Sequence, residues 1–332
     1  MKELFKIIDN FKKKKILVIG DVLLDKFIWG EVSRISPEAP IPIVKVTKES
    51  YMPGGAGNVA NNIASLGGIA FLCGVIGQDE DAQILKKELS KNSINYNGLI
   101  IDSSRPTIVK TRIIAHNQQI VRFDKEKVEN VNHSIQKKIL EYIISLIKEV
   151  DGVIIEDYGK GIITQNLLKN VLSLCKANKK IITVDPKINY FNYYKEVDTI
   201  TPNQSEAEQI TGIKIIDEKS LYKVGEKILK KLNCQSVLIT RGDKGMVLFE
   251  KNGSITSVST MAQEVYDVSG AGDTVISCFT LALVSGADKK QATYISNYAA
   301  GVVVGKLGVA TVNKEEIKKN ILEYKLRISQ FV

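Results

Sequence analysis

Ile16-Leu17-Val18-Ile19-Gly20 is the first of several short, continuous apolar runs that decide the fold class. A run that is apolar at every position fits a parallel strand covered on both faces. Five more such runs follow, at residues 71–77, 153–156, 181–185, 199–201 and 237–240. The segments between them have apolar residues at helical spacing: 58–66, 81–90, 135–148, 165–177, 206–211 and 221–232. This alternation predicts an α/β fold with a doubly wound, mostly parallel sheet flanked by helices.

Two segments, residues 32–46 and 97–124, depart from this alternation and have an extended pattern. Pro37, Pro40 and Pro42 place the first of them near the edge of a sheet. We expect a small antiparallel β lid, from about residues 26–50 and 97–124, beside the main sheet. The chain after residue 260 is mostly helical in pattern. The whole sequence shows no internal repeat and no linker rich in Pro, Gly or Ser. We therefore expect residues 1–332 to form a single domain.

The net charge of +9 raises the question of nucleic-acid binding. The excess is almost entirely lysine, because the chain has six arginines among its 46 basic residues. Arginine dominates base readout and bidentate phosphate contacts, so this composition argues against a nucleic-acid partner. A positive field also concentrates small phosphorylated ligands, which is the interpretation we favour.

Cysteine and histidine usage and the hydropathy pattern indicate the compartment. The four cysteines lie far apart without C-x-x-C spacing, and with two histidines the chain offers no usual zinc pattern. The N-terminal residues are too charged for a signal peptide, and the uncharged stretch at 274–287 is shorter than a membrane helix requires. We expect a cytoplasmic protein with no membrane partner.

The sharpest chemical signal is Asp267-Val268-Ser269-Gly270-Ala271-Gly272-Asp273-Thr274, directly before a long helical pattern. Small residues let the backbone approach a ligand, and the free N–H groups of a helix N-terminus favour an anion. Asp273 has two interpretations. It either complements the helix dipole, or acts as a general base that takes a proton from a hydroxyl attacking phosphorus. The second explains better why a carboxylate stands beside an anion site.

A second constellation is Thr201-Pro202-Asn203-Gln204-Ser205-Glu206, between a strand and a helix. Asn203 and Glu206 are three residues apart, on one side of the helix entrance. They could position a hydrated Mg²⁺ that bridges nucleotide phosphates. The alternative, which the spacing alone favours, is a capping box with Asn203 as N-cap.

A third signal combines Asp21, at the end of the first strand, with Gly54-Gly55-Ala56-Gly57-Asn58. Carboxyl ends of parallel strands line ligand crevices, and these residue types suit sugar hydroxyls. The glycines also match a loose dinucleotide fingerprint. That fingerprint requires a tight turn directly after a buried strand, whereas Pro53 and an edge segment precede it here, which argues against a dehydrogenase.

Several further strand ends carry polar residues that could face the same crevice, although charges there are also ordinary surface residues. These are Asp157-Tyr158-Gly159-Lys160-Gly161, Asp185-Pro186-Lys187 and Thr240-Arg241-Gly242. Arg122 and Asp124 alternate on a lid strand and could point into the site. Lys110 and Arg112 are weaker candidates of the same kind.

Taken together, these residues resemble the ribokinase-like (PfkB) sugar kinases. Gly54-Gly55 with Asn58, Asn203 with Glu206, and Gly270-Ala271-Gly272-Asp273 match the family's three characteristic stretches, in order. The similarity is closest to the heptose 7-phosphate kinases of ADP-heptose synthesis. It rests on five stretches: Gly20-Asp21-Val22-Leu23-Leu24-Asp25, residues 33–40, Asn117-Gln118-Gln119 with Arg122, Gln263-Glu264-Val265-Tyr266-Asp267-Val268, and residues 300–308.

This resemblance implies ATP-dependent phosphorylation of O1 of D-glycero-β-D-manno-heptose 7-phosphate. Asp273 would be the base, with the Gly270, Ala271 and Gly272 amides stabilising charge on the phosphoryl group. The resemblance also implies an ATP-binding set, a sugar-phosphate-binding set and a metal ligand. The ATP-binding set is Asn203, Gln204, Ser205, Glu206, Thr240, Arg241, Gly242 and Asn297. The sugar-phosphate set is Asp21, Gly54, Gly55, Asn58, Arg122, Lys160, Asp185 and Lys187. Glu206 would hold Mg²⁺ through water.

Two broader expectations follow from the resemblance. Family members often dimerise through the lid, so a homodimer is expected. The bifunctional enzyme of ADP-heptose synthesis continues into a nucleotidyltransferase half with an H-x-G-H-type motif, which this sequence lacks. We therefore expect a kinase without adenylyl transfer, either a stand-alone enzyme or one half of a longer one.

Two other functions stay open at this point. One is a ribokinase-like kinase for another sugar or sugar phosphate. The other is a non-catalytic ligand-binding protein on a kinase scaffold. The presence of a base, an anion-binding loop and a metal-positioning pair together argues against the second.

Overall fold

A computed structural model describes residues 1–116, 118–262, 265–306 and 308–330. Asn117, Gln263, Glu264 and Leu307, which belong to the stretches quoted above, lie outside the described residues. The strands are β1 Lys15–Gly20, β2 Val22–Ile35, β3 Pro42–Gly55, β4 Ile69–Ile76, β5 Asn95–Ile101, β6 Ile108–Ala115, β7 Gln118–Lys125, β8 Gly152–Glu156, β9 Ile181–Asp185, β10 Thr199–Ile200, β11 Ser236–Thr240, β12 Met246–Glu250 and β13 Ile255–Val258.

The α-helices alternate with these strands over most of the chain. They are α1 Lys2–Asp9, α2 Ala56–Ser65, α3 Glu80–Lys91, α4 His133–Leu146, α5 Gln165–Ala177, α6 Gln204–Thr211, α7 Glu218–Leu232, α8 Ala271–Val284, α9 Lys289–Val303 and α10 Lys314–Gln330. None of the helices in the described ranges is long and apolar enough to cross a membrane.

Within the described residues, the main sheet has nine strands in the order β13-β12-β11-β10-β9-β8-β1-β4-β5. It is parallel from β5 to β11, and β12 and β13 are antiparallel at one edge. The two faces of each strand enter different cores. Ile16 and Val18 of β1 pack with α2, α8 and α9, whereas Leu17 and Ile19 pack with α4, α5 and α7. This double burial confirms the predicted doubly wound α/β fold.

A separate sheet of four strands, in the order β3-β2-β6-β7, forms the lid. The expectation of a wholly antiparallel lid is wrong in one pair, because β2 and β6 run parallel. β6 follows the crossover through β4, α3 and β5, so it enters the lid in the same direction as β2. The bounds also change: the lid strands cover 22–55 and 108–125, and residues 95–101 belong to the main sheet instead. The single domain over 1–332 stays a prediction.

Candidate active site

A cavity of about 210 Å³ lies where the carboxyl ends of several parallel strands meet the N-terminus of α8. This is the edge at which α/β sheets bind their ligands. Its lining brings together residues from two of the three motifs and from three other strand ends: Asp157, Tyr158, Asp185, Pro186, Lys187, Thr201, Asn203, Glu206, Thr240, Gly270, Gly272 and Asp273.

Asp273 stands in the first turn of α8 and is 5% exposed. Its Oδ2 accepts a hydrogen bond of 2.6 Å from the Asn58 amide, and its Oδ1 accepts one of 3.1 Å from the Tyr158 hydroxyl. Burial raises the pKa of Asp273, while these two donors oppose the rise. The third motif therefore reaches the cavity through Asn58, which ties α2 to the carboxylate.

The loop before α8 is shaped by Gly270, the N-cap residue, which has a φ of 77°. A side chain there would adopt an unfavourable left-handed conformation, and its Cβ would lie 3.0 Å from the Asn58 amide nitrogen. The first-turn N–H groups that follow have no partners within the helix. The arrangement thus offers amide donors beside a carboxylate.

Asn203 and Glu206 form the capping box that their spacing favours. The Asn203 side chain accepts from the Glu206 N–H at 2.9 Å, and Glu206 Oε2 accepts from the Asn203 N–H at 3.0 Å. The Lys187 ammonium lies 3.7 Å from Glu206 Oε1. Asn203 and Glu206 both line the cavity, so the capping box holds the Glu206 carboxylate at the ligand-binding edge.

Three carboxyl groups meet at the floor of the cavity: Asp185 and Asp273 line it, and Glu156 lies outside its lining. Oxygen atoms of Glu156, Asp185 and Asp273 lie within 4.8 Å of one another. Burial, followed by the charges of Asp185 and Asp273, raises the pKa of Glu156 well above its usual range. Burial, followed by the charge of Glu206, raises the pKa of Asp185. Sequence reasoning missed Glu156, because it continues a buried apolar strand.

Asp21 is not among the residues that line the cavity, and its assignment as a sugar contact stays a prediction. It is fully buried, and its carboxylate accepts hydrogen bonds from three backbone N–H groups of one loop. Tyr158 and Lys160 donate to Oδ2 at 2.9 and 3.0 Å, and Ile162 donates to Oδ1 at 3.3 Å. Backbone groups of this loop therefore engage both oxygens of the carboxylate. Its role is to hold the loop that carries Tyr158.

Asp25, four residues further on, is close enough to Asp273 to affect its charge, and it was not among the predicted site residues. It pairs with Arg112, and a side chain at Gly54 would bring a Cβ within 2.3 Å of its Oδ2. Its charge contributes to raising the pKa of Asp273. Gly54 therefore makes room for a carboxylate beside the base, and Gly55, with a φ of 56°, turns the chain into α2.

The lid places cationic side chains around Asp25. The Lys110 ammonium lies 5.2 Å from the centre of the Tyr158 ring, whose hydroxyl donates to Asp273. Burial, followed by the charge of Arg122, lowers the pKa of Lys110. Arg122 pairs with Asp124 at 2.6 Å, and Lys160 pairs with Glu126 at 2.7 Å.

The remaining members of the expected ATP set divide into two groups. Gln204, Ser205 and Arg241 line a neighbouring depression of about 350 Å³ with Asp243 and others, and Gly242 lies exposed in the same turn. Asn297 is 3% exposed, and its amide donates to the Ser259 carbonyl at 2.6 Å. Asn297 does not line either depression, and its contact with ATP stays a prediction.

Comparison with known proteins identifies the family. A model described as pfkB family carbohydrate kinase matches residues 13–316. The chain belongs to this family. The pfkB-family assignment makes it a carbohydrate kinase and implies that it uses ATP.

Two relatives are both named Bifunctional protein HldE. The one from Desulfatibacillum aliphaticivorans is 41% identical over 94% of this chain, and the one from Helicobacter pylori strain J99 is 43% identical over 92%. The chain spans 64% and 65% of the length of these two relatives.

Solved structures show the same pfkB fold at low identity. Phosphofructokinase-2 from Escherichia coli, in complex with substrates and products, has a TM-score of 0.77, covers 92% of this chain and 97% of its own, and is 17% identical. Arabidopsis thaliana ribokinase, complexed with ribose and ATP, has a TM-score of 0.72, covers 93% and 98%, and is also 17% identical.

In this pfkB-family kinase, the buried Asp21 should make stability depend on pH. Burial is the main reason that its pKa rises from 3.8 to about 6. Between those values the folded state binds a proton that the unfolded chain lacks, so its contribution to stability falls as pH rises. Across this pH interval the free energy of unfolding falls by about 3 kcal/mol because of Asp21. We expect the unfolding free energy of Asp21→Asn to lack this dependence on pH.

The measurement is denaturant unfolding of both proteins at steps from pH 4 to pH 7. The difference in unfolding free energy between wild type and variant isolates Asp21 from the other carboxyl groups. Parallel pH profiles would show that Asp21 titrates at its ordinary value in the folded protein.

Proposed function

We propose that this kinase transfers the γ-phosphoryl group of ATP to O1 of D-glycero-β-D-manno-heptose 7-phosphate. The product would be the 1,7-bisphosphate, an intermediate of ADP-heptose synthesis for the lipopolysaccharide core. Support comes from the heptose-kinase stretches in the sequence and from relatives above 40% identity named Bifunctional protein HldE. Because ATP and phosphorylated sugars are cytoplasmic metabolites, we propose a cytoplasmic location.

The observation that carries the proposal is Asp273, buried in the first turn of α8 beside the backbone amides of residues 270–272. As the sugar O1 attacks the γ-phosphorus, its proton passes to the Asp273 carboxylate. The bond from phosphorus to the β–γ bridging oxygen breaks, and ADP leaves. Asn58 and Tyr158 hold the carboxylate in place through one hydrogen bond to each oxygen.

The amides of the 270–272 turn would stabilise negative charge on the transferring group. Such donors are fixed before the reaction, so no reorganisation accompanies the transfer. The helix dipole of α8 adds to this, since its positive end faces the same point. Glycine at position 270 permits the left-handed backbone that this turn requires.

ATP would lie on the side of the cavity formed by α6 and the turn after β11. Asn203 and Glu206 line the cavity, and Gln204, Ser205, Arg241 and Gly242 surround the adjoining depression. Oxygen donors such as the Glu206 carboxylate fit Mg²⁺, which usually retains several waters. Bound there, Mg²⁺ would neutralise charge on the nucleotide phosphates.

The sugar phosphate would lie between Asp273 and the lid. Asp25 and Asn58 offer polar contacts for hydroxyl groups, and Lys110 and Arg122 supply positive charge on the lid side. Lys110 contacts the ring of Tyr158, whose hydroxyl donates to Asp273, so a cationic group stands near the base and could bind a phosphate of the substrate. This favours a phosphorylated sugar over a neutral one.

Replacing Asp273 by Asn should lower turnover by about 10²–10⁴-fold, because an amide cannot take the hydroxyl proton. Binding of ATP and of heptose 7-phosphate should persist, since the side chain keeps its size. An ADP-release assay and calorimetric titration measure the two effects. Asp151→Asn, at the far end of β1, is the matched control and should keep full activity.

The assay should include ribose and fructose 6-phosphate beside heptose 7-phosphate. Near-normal turnover by Asp273→Asn would contradict the general-base role. Activity confined to ribose or fructose 6-phosphate would contradict the heptose assignment while leaving the kinase chemistry intact.

Arg122→Met should raise the KM for the sugar phosphate about tenfold or more, because a charge-assisted phosphate contact contributes about 1.5–3 kcal/mol. The KM for ATP should stay unchanged. Lys125→Met is the control. Lys125 lies on the same strand as Arg122, but its ammonium pairs with Asp79 and Asp81. Equal KM values in the two variants would remove Arg122 from the substrate site.

We further propose that the chain forms a homodimer through the lid. All eight residues of β7 are exposed, and its residues 121–124 alternate apolar and charged side chains. Arg122 and Asp124 share one face, whereas Val121 and Phe123 share the other and are 45% and 53% exposed. An apolar face on an unpaired edge strand is a liability that a second copy would cover.

Phe123→Asp should shift the protein from dimer to monomer in analytical ultracentrifugation, since it places a charge in the apolar contact. Ile216→Asp, at a position 86% exposed outside the lid, serves as the control and should sediment like wild type. A wild-type protein that sediments as a monomer at micromolar concentration would refute the dimer.

A further inference from the structure

A second and larger cavity, of about 1100 Å³, lies at the edge of the main sheet opposite to the candidate active site. The C-terminal half of α5, the turns that lead into β9, β10 and β11, and the turn after β12 bound it. Small-molecule sites usually have volumes of about 300–1,000 Å³, so this cavity is large enough for a ligand. Six of its 17 lining residues are lysines: Lys169, Lys176, Lys179, Lys180, Lys195 and Lys251.

The acidic residues of the lining neutralise little of this positive charge. They are Glu196 and Asp198. Glu196 forms an ion pair with Lys176 at 2.8 Å. Asp198 is half-buried, and its Oδ2 accepts a hydrogen bond of 2.8 Å from the backbone N–H of Ile182. Both carboxylates are therefore already engaged, one with a lysine and one with the backbone.

The other five lysines form no ion pair with any residue that the structure describes. Two of them donate to neutral oxygens: Lys180 to the Lys148 carbonyl at 3.2 Å, and Lys251 to the Asn233 side chain at 2.7 Å. The remaining three are Lys169, Lys179 and Lys195. Five positive charges thus line one concave surface without a counter-charge. Their mutual repulsion is unfavourable unless an anion binds between them.

The nearby C-termini of α5 and α7 do not account for this concentration of lysine. A helix C-terminus carries about half a negative charge, and its effect falls off within the last turn. Lys169 stands more than two turns before Ala177, where α5 ends. Lys195 and Lys251 lie in turns outside the helices. Two partial charges cannot balance five whole ones.

We propose that this cavity binds a chain of two or more phosphate groups, carried by inorganic polyphosphate or by a nucleoside di- or triphosphate. Lysine binds phosphate as a compact point charge on a flexible stem, so several lysines can follow a flexible phosphate chain. An acidic peptide would favour the bidentate pairs that arginine forms with carboxylates, and the described lining contains lysine without arginine. Asn192, Gln235 and the exposed ring of Tyr193 supply neutral contacts that a nucleoside could use.

This site is separate from the proposed phosphoryl-transfer site, so the inference goes beyond the proposed function. β9 begins at Ile181, which lines the lysine cavity, and ends at Asp185, which lines the candidate active site. At about 3.3 Å per residue, these two ends lie about 13 Å apart along the strand. A ligand in one cavity therefore leaves the other open.

The test is acetylation of the lysines of the full chain by an amine-reactive ester, with and without inorganic tripolyphosphate, followed by mass spectrometry. EDTA keeps metal–phosphate complexes from forming. At saturating tripolyphosphate, Lys169, Lys179 and Lys195 should lose most of their acetylation, because the bound anion covers their ammonium groups. The exposed Lys138 of α4, which lies outside the cavity, should be acetylated as before.

The same measurement with ATP distinguishes the two sources of the phosphate chain. Protection of the three lysines by both compounds would identify a site that also accepts nucleotides. Protection by tripolyphosphate alone would identify inorganic polyphosphate as the ligand. Lys187 lines the candidate active site and reports binding there separately, so a failure of this proposal is distinguishable from a failure of the kinase assignment.

Two triple variants provide a second readout by calorimetric titration with tripolyphosphate. Combining Lys169→Gln, Lys179→Gln and Lys195→Gln should weaken binding about tenfold or more, because each change removes a charge-assisted contact. Combining Lys87→Gln, Lys138→Gln and Lys219→Gln removes the same net charge at exposed positions elsewhere and should leave binding unchanged.

Thermal unfolding reports whether both triple variants fold. Tripolyphosphate should raise the Tm of the wild type and of the control variant by more than that of the cavity variant. The proposal is overturned if tripolyphosphate leaves Lys169, Lys179 and Lys195 unprotected, or if the two triple variants bind it equally well.

Discussion

The hydrogen bond of 2.6 Å from the Asn58 amide to Asp273 is the contact on which the site depends. It joins the N-termini of α2 and α8, whose residues lie 215 positions apart in the chain. The same helix pair is fastened further along, where the Thr274 hydroxyl donates to the Asn62 side chain and Ser277 donates to the Val59 carbonyl. Because these groups are buried, each needs its partner, which fixes the register of the two helices. The position of the base is therefore a consequence of helix packing.

Most of the fold could be predicted from the sequence, because a parallel strand covered on both faces must be apolar throughout. The runs at β1, β8 and β9 meet this condition and were placed to within a residue or two. The lid was harder. Its strands are largely exposed, and β7 wholly so, so their pattern indicates extended chain without indicating pairing direction. The parallel pairing of β2 with β6 depends on the crossover between them, which no local pattern records.

The site residues likewise differ in whether local sequence indicates them. Glycine-rich turns and helix entrances have local signatures, so Asp273, Asn203 and Glu206 could be proposed as site residues from the sequence. Asp21 and Asp25 belong to one stretch, and the sequence could not say which of them lies near Asp273. The structure separates them through burial: a loop's backbone amides surround Asp21, whereas Gly54 leaves space for Asp25. Glu156 has no signature, since its surroundings come from β9 and α8.

Charge distribution links the two sheets. The carboxyl edge of the main sheet gathers Glu156, Asp185 and Asp273 in a buried position. Burial, followed by the charges of Asp185 and Asp273, raises the pKa of Glu156, and burial, followed by the charges of Glu206 and Asp273, raises the pKa of Asp185. The lid brings Lys110, which is itself made less basic by burial and by Arg122. Within the lid, Arg112 and Arg122 are paired with Asp25 and Asp124, whereas Lys110 lies over the Tyr158 ring beside the base. An anionic substrate bound to Lys110 would bridge the lid and the main sheet, so substrate binding and lid position should be coupled through charge as well as shape.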